Sequence, residues 1–409
     1  MSLCNNVNIG NGELVTFGGN TLDAFGRLRV SNPLTIFDSK NIMSNNNLFD
    51  EALTAGGTVT YTANKSTVNL NVTEVSGDKT IRQSKRVMSY QPGKSLLIFN
   101  TFVMNTLTAN LKQKVGLFDA NNGIFFYADG TTLKIVRRTF TSGSPVDTEI
   151  SQSSWNGDKL DGTGASGFTL DPAKSNILFI DIEWLGVGSV RVGFVINGQL
   201  ITAHTFNNAN SLTTVYMQTA NLPIRYEIET AATLASGTYT LQQICSSCIS
   251  EGGYAPKAVE QMIGTAAIGG VNLTTADTFY NLATIRIKTS RPYAVIVPAG
   301  FIASGISNSD FEVQLILNAT PSTSFSYSSY SDNLEYDLTG TTTITGGTVV
   351  AKAYIAGKSS STASVGDGFN FDYQLGQTIA GVSDTLTLCA KAAANNDDVL
   401  GTIKWYDLT

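Results

Sequence analysis

The dipeptide Asn197-Gly198 stands between two apolar alternations, V-R-V-G-F-V-I before it and Q-L-I-T-A-H-T-F after it. A two-residue type I′ hairpin loop needs positive φ at both central positions, which Asn and Gly adopt at least cost. The stretch therefore predicts an antiparallel hairpin over 189–206. The same period of two recurs along the chain. Val68, Leu70 and Val72 in S-T-V-N-L-N-V-T share one face of an expected strand, and further strands are expected at 95–104, 113–118, 123–127, 132–138 and 176–185. Asp129-Gly130 is one of the turns between them. Short antiparallel strands at this spacing predict an all-β chain whose main unit is a jelly-roll, concanavalin-like β-sandwich.

Three regions follow from shifts in composition. Residues 1–45 are rich in Gly and Asn and read as an N-terminal arm or attachment segment. Residues 46–255 carry the sandwich. The stretch E-G-G-Y-A-P-K-A-V-E-Q-M, 251–262, interrupts strand pairing with Gly252, Gly253 and Pro256, and a short helical turn is expected at 257–262. Residues 256–409 then read as a second, outward-facing β-sandwich with strands at 284–288, 294–297, 311–317, 342–344, 348–355, 369–375, 385–392 and 401–406. The Ser-rich tract 321–331 reads either as a strand with Phe325 and Tyr327 on one face or as a loop.

Only 14% of the 409 residues are charged, against about 25% in an ordinary soluble domain. With 26 Lys and Arg against 32 Asp and Glu, the net charge is −6, so the basic footprint of a nucleic-acid binder is missing. A single histidine, His204, rules out a multi-His metal site, and Cys245 and Cys248 lack a second Cys pair. No cofactor or metal is expected. Cys4, Cys245, Cys248 and Cys389 read as unpaired thiols, or as one Cys245 to Cys248 link. No run of about 18 apolar residues suggests a membrane span. The start M-S-L-C-N-N-V-N-I-G-N-G has no export pattern, and assembly in a cytoplasm is expected.

Two short constellations carry the chemical question of what the sandwich does. In D-A-N-N-G, 119–123, oxygen-bearing residues open like a calcium loop, but no bidentate Glu follows, and a turn between strands is the alternative. The run R-Q-S-K-R, with Arg82, Lys85 and Arg86, reads as a solvated face or one half of an intersubunit charge pair. His204 reads as a strand residue near a sheet edge.

The stretch F-I-D-I-E-W-L-G, 179–186, is the most chemical of all. On a strand, Phe179, Asp181 and Glu183 share one face at spacings of about 6.5–7 Å, while Ile180, Ile182 and Trp184 share the other. It resembles the E-I-D-I-E-F-L-G strand of the laminarinase and lichenase glycoside hydrolases, which are jelly rolls. In that family the first Glu is the nucleophile, the Asp supports it and the last Glu is the acid/base. Here the matching positions are Phe179, Asp181 and Glu183, so the nucleophile is missing. Two carboxylates remain, at a spacing between the retaining and inverting ranges. Without a nucleophile they are solvent-side residues of an amphipathic strand, or the wall of a glycan groove with Trp155, Asp181, Glu183 and aromatics of the C-terminal domain, or, as the weaker alternative, the carboxylate pair of an inverting or inactive glycoside hydrolase.

A second resemblance covers more of the chain. T-L-D-A-F-G-R-L-R-V-S-N-P-L-T-I-F-D-S-K, 21–40, resembles the D-A-F-G-R-L-R-V-S motif of a family of virion structural proteins of tailed phages, notably of marine cyanobacteria, and of some large algal and protist viruses. Matching blocks continue at 89–105, 158–167, 182–200, 222–228 and 243–254. The resemblance implies a virion component without a catalytic role: a capsid decoration or vertex protein, or a fibre or spike subunit. Its partners would be other copies of itself, with a trimer as first expectation, and other virion proteins, with a host-surface glycan as a further partner. The arm around Asp23, Phe25, Arg27, Leu28 and Arg29 is then expected to attach the protein, the arginines making charge-assisted contacts and Phe25 and Leu28 becoming buried.

Overall fold

The computed structural model describes residues 5–9, 13–17, 30–255, 257–356, 362–366 and 371–409. Among the described residues the chain is all-β, built from antiparallel sheets with three short 3-10 turns. Two large sheets form a jelly-roll sandwich. The first runs, edge to edge, through Val146–Ser151, Thr132–Thr139, Gly123–Asp129, Leu111–Phe118, Ile224–Thr230, Lys79–Ser84 and Phe49–Thr54. The second runs through Gln199–Phe206, Val190–Ile196, Asn176–Ile182, Leu96–Val103, Thr238–Ser250, Thr67–Thr73 and Thr58–Thr62, with Leu34–Lys40 also paired to Thr238–Ser250.

Strand periodicity sets the core between them. Val68, Leu70 and Val72 are fully buried, as are Leu178, Ile180 and Ile182, and all of these but Val68 join Val115, Leu117, Ile124, Phe126, Tyr226 and Ile228 of the facing sheet in one core. Asn197 and Gly198 have φ of 51° and 78°, and Ile196 pairs with Gln199 across them, so the expected hairpin forms.

A second pair of sheets follows. One holds Glu260–Gly264, Asp397–Asp407, Ile296–Gly305 and Thr362–Gly366, with Val271–Leu273 on Asp397–Asp407; the other holds Ser328–Ser329, Leu334–Asp337, Tyr280–Ile287, Thr385–Ala392, Phe311–Leu317 and Thr348–Ile355. Their core gathers Leu282, Ile285, Phe301, Leu315, Leu388, Ile403 and Trp405. The two sandwiches touch through a small cluster of Val87, Val295 and Val297, and through hydrogen bonds from Tyr293 Oη to Asp119 Oδ2 (2.6 Å), Gln374 Nε2 to Val87 O (3.1 Å) and the Ile379 amide to Asp50 Oδ2 (2.8 Å).

Several expectations need correction. Where a helical turn was expected at 257–262, Glu260–Gly264 is a strand paired to Asp397–Asp407; tertiary pairing overrides local preference here. Of the strand expected at 369–375, residues 369–370 lie outside the described residues, and Phe371–Tyr373 is a 3-10 turn instead. The Ser-rich tract is a loop between the two-residue strands Thr320–Pro321 and Ser328–Ser329, pinned by Phe325 against Tyr327 with ring centroids 5.9 Å apart. The run 82–86 is not one solvated face. Arg82 lies between the sheets with 1% of its surface exposed, donating to Glu51, to Gln243 Oε1 (2.5 Å) and to Asn46 O (3.0 Å), its guanidinium 4.8 Å from the Phe49 ring. Alternation along Lys79–Ser84 points Thr80, Arg82 and Ser84 inward together. Arg86 bridges to the other sandwich through Asp372 O.

Candidate functional site

The site grows from strand Asn176–Ile182 of the second sheet. Leu178, Ile180 and Ile182 fill the core, so Phe179 and Asp181 face outward on the opposite side. The neighbouring strand supplies what each of them meets. Phe179 pairs with Gly193, where an added Cβ would lie 2.8 Å from the Phe179 ring, so the missing side chain makes room for the phenyl and only 2% of Phe179 is exposed. Asp181 pairs with Arg191, and the guanidinium donates to its carboxylate. Burial raises the carboxyl pKa of Asp181, and Arg191 opposes that rise.

The chain leaves the strand after Ile182, and the turn from Glu183 to Ser189 carries the rest. Trp184 packs on the core, donates from Nε1 to Met217 O (3.2 Å) and meets Tyr90 edge to face at 5.9 Å. The Leu185 amide donates to Tyr90 Oη, and Tyr216 Oη donates to Glu183 O, each at 3.2 Å. The turn is thus held by aromatic hydroxyls from below, while Leu185 and Val187 stay exposed on top. The exposed Glu183 carboxylate accepts from the Ser189 amide (3.3 Å) and Ser189 Oγ (3.4 Å).

Two open clefts meet at Glu183, Leu185 and Ser189. One, of about 310 Å³, is lined by Gly93, Lys94, Ser95, Asp181, Glu183, Leu185, Ser189 and Arg191. The other, of about 390 Å³, continues past Val187 and Gly188 to Asn207, Asn208 and Ala209. Together they form a groove with carboxylate, hydroxyl, amide, ammonium and guanidinium groups beside exposed aliphatic surface. That mixture suits a hydroxyl-rich ligand with one apolar face.

Of the residues expected here, Asp181 and Glu183 line the groove. Trp155 does not. It is 2% exposed inside the sandwich core, with Nε1 donating to Ile150 O at 3.1 Å. The reason is local: the Gly157 and Asp158 amides bond to Ala203 O and Thr202 O, both at 2.9 Å, covering the edge strand Gln199–Phe206 and driving the indole inward. Nor do aromatics of the C-terminal sandwich line either cleft. His204 sits in that edge strand, where Nδ1 accepts the Asn156 amide (3.3 Å) and burial lowers its pKa, so it is held as a neutral acceptor. Asp23, Phe25, Arg27, Leu28 and Arg29 lie outside the described residues.

Lys94, Leu185, Ser189 and Arg191 were not singled out from sequence. Arg191 had a readable signal: folding 176–196 back around the G-V-G-S turn sets it opposite Asp181. Lys94 arrives from a distant loop and had none.

The other motifs resolve into structure. Asp119 Oδ1 accepts from the Asn121 and Asn122 amides, both at 2.7 Å, and its other oxygen takes Tyr293, so 119–123 is an Asx-stabilised hairpin turn. Cys245 and Cys248 are free thiols, three residues apart on Thr238–Ser250. Cys248 is buried in the core while Cys245 reaches Thr101 Oγ1 at 3.3 Å. Among the described residues no three His, Cys, Asp or Glu side chains gather as a metal site, and no helix is long and apolar enough to cross a membrane.

No family model and no curated protein matches the chain. Solved structures with a similar backbone include a β-glucanase of Bacillus licheniformis (12% identity, 52% of this chain and 96% of that one, TM-score 0.33). Arcelin-5, a lectin-like defence protein of Phaseolus vulgaris, matches at 10% identity over 54% of this chain and 99% of its own, with TM-score 0.32. A carbohydrate esterase from the Shiga toxin-encoding bacteriophage phi24B matches at 12% identity over 54% and 100%, with TM-score 0.32. Among the described residues the chain is an all-β protein whose main unit is a jelly-roll sandwich.

Proposed function

We propose that the chain is a non-catalytic glycan-binding protein of a virion surface. The observation that carries the binding is the groove at Asp181, Glu183, Leu185, Ser189 and Arg191, in which polar groups of both signs converge beside exposed aliphatic surface. Absence of catalysis is supported by the same strand. A buried phenyl ring holds the place where the resembled hydrolases carry their nucleophile, and the neighbouring carboxylate of Asp181 is taken up by Arg191. A carboxylate oxygen that accepts from a guanidinium is blocked from attacking a sugar carbon.

The virion setting is supported by the D-A-F-G-R-L-R-V-S block and its companions over 21–254. There the protein is a capsid decoration or vertex protein, or a fibre or spike subunit, and it contacts other virion proteins and copies of itself as a trimer. The arm at Asp23, Phe25, Arg27, Leu28 and Arg29 anchors it, and the groove faces a host-surface glycan. Images of intact particles with this chain placed in the density, together with glycan-array binding by the isolated protein, test both halves. Density for the chain on the particle and retention of at least one glycan class are expected. Absence of the chain from purified particles overturns the setting, and failure to bind across the array overturns the groove.

A further inference from the structure

We infer that the groove selects glycans bearing an anionic substituent, and that Lys94 is the residue that selects them. The inference rests on the glycan-binding reading and follows from which charges in the cleft already have partners. Four charged side chains line the cleft next to the turn: Lys94, Asp181, Glu183 and Arg191. Asp181 is held by Arg191, and Glu183 accepts two hydrogen bonds from Ser189. Glu251, just behind, takes Ser95 Oγ at 2.7 Å. Lys94 alone makes no ion pair or side-chain hydrogen bond among the described residues. Its stem passes over Gly252, where a Cβ would meet Lys94 Cγ at 2.6 Å, and the side chain lines the cleft.

Arg191 adds to the same capacity. Its side chain is 60% exposed, and one carboxylate occupies only part of a guanidinium that carries five N–H donors. A carboxylate or sulfate on a sugar ring, seated between Lys94 and Arg191, gains charge-assisted hydrogen bonds from both. The ring hydroxyls then meet Glu183, and the C–H face meets Leu185. A neutral sugar offers Lys94 only uncharged hydroxyl acceptors, whose hydrogen bonds are weaker than those to an anion. The net charge of −6 opposes general attraction of polyanions, so a preference for acidic sugars would have to come from this cleft.

The test titrates three probes into the intact protein: an oligogalacturonate, a sulfated galactan oligosaccharide and a neutral β-glucan oligosaccharide. At least one acidic probe is expected to bind roughly tenfold or more tighter than the neutral one, as one charge-assisted contact allows. The better acidic probe identifies which anion the cleft takes. Lys94→Met should cut that preference roughly tenfold, the part Arg191 does not supply, without shifting the melting temperature, and Lys94→Arg should keep it. Equal or tighter binding of the neutral probe, or a preference undiminished in Lys94→Met, overturns this inference and leaves the glycan-binding reading standing. No binding by any of the three, or by a wider array, removes the reading itself and this inference with it.

Discussion

Glu227 is the sharpest test of how the first sheet is held together. It points outward from Ile224–Thr230 yet keeps only 2% of its surface exposed. Arg225 Nε, Lys114 Nζ and Lys79 Nζ lie 3.0, 2.9 and 3.0 Å from its carboxylate oxygens. Beneath this cluster Phe118 and Phe125 pack at 4.5 Å, with the Arg225 guanidinium 5.3 Å from the Phe118 ring. Burial alone would raise the Glu227 pKa, but Arg225, then Lys114 and Lys79, outweigh it and hold the carboxyl well below its ordinary 4.5. Glu227→Gln leaves the buried Arg225 without its counter-charge, a loss of about 3–5 kcal/mol for a fully buried pair. The amide oxygen still accepts one hydrogen bond, and Lys79 keeps 29% of its side chain exposed and can turn to water. The lower end, about 3 kcal/mol, is therefore expected. For a unit of roughly 200 residues that is a fall of about 6–12 °C in melting temperature.

The pH dependence carries the sign. Because the folded pKa lies below the unfolded one, the Glu227 contribution is complete above the unfolded value of 4.5 and is lost as pH falls beneath it. The gap between wild type and variant should be constant from neutral pH down to about 5.5 and narrow below about 4.5. Urea titrations followed by near-ultraviolet circular dichroism at several pH values measure it, with Lys79→Met as a control expected to cost less than about 1 kcal/mol. A variant within about 1 kcal/mol of wild type at pH 7, or a gap that widens in acid, would show that Glu227 does not stabilise the first sheet through its buried pair with Arg225.

Other outcomes follow from single positions. Gly198→Ala meets no atom within 4 Å but must keep φ at 78°, so its cost should be conformational alone, about 1–2 kcal/mol. Gly193→Ala should cost more, above about 2 kcal/mol, because its Cβ would fall 2.0 Å from Ile201 O and 2.8 Å from the Phe179 ring; paired denaturation curves decide, and equal losses would mean that Phe179 does not need the gap. Tyr293→Phe removes the bond to Asp119 between the two sandwiches and should lower stability by about 1 kcal/mol while leaving glycan binding intact. Thiol titration of the protein unfolded without reductant should find at least three reactive cysteines, since Cys245, Cys248 and Cys389 are free; fewer than three reactive thiols would contradict that assignment.

How far the sequence could be read depended on whether burial and polarity agreed. Where they did, as at Val68, Leu70 and Val72 or across Asn197-Gly198, face and turn were both legible. Thr238–Ser250, the longest strand, was not, because it turns Gln243, Ser246 and Ser250 into the interior and breaks register between Gln243 and Cys245. Polar residues facing a core, and a bulge that resets the alternation, erase the signal that a period-two reading needs. Arg82 failed for the same reason: a buried guanidinium looks in sequence like a surface charge. In the site, the shared face of Phe179 and Asp181 was legible from the strand period. The neutralisation of Asp181 needed the hairpin register, and Lys94 needed the fold itself.

The groove is proposed to bind a glycan without cleaving it. This is tested most directly by calorimetric titration of a glycan retained by the protein, with reducing ends counted in the same samples over a long incubation. Saturable binding, no release of reducing ends, and loss of binding in Glu183→Gln at unchanged melting temperature are the predicted results. Release of reducing ends by the wild type, abolished in Glu183→Gln, would contradict the account.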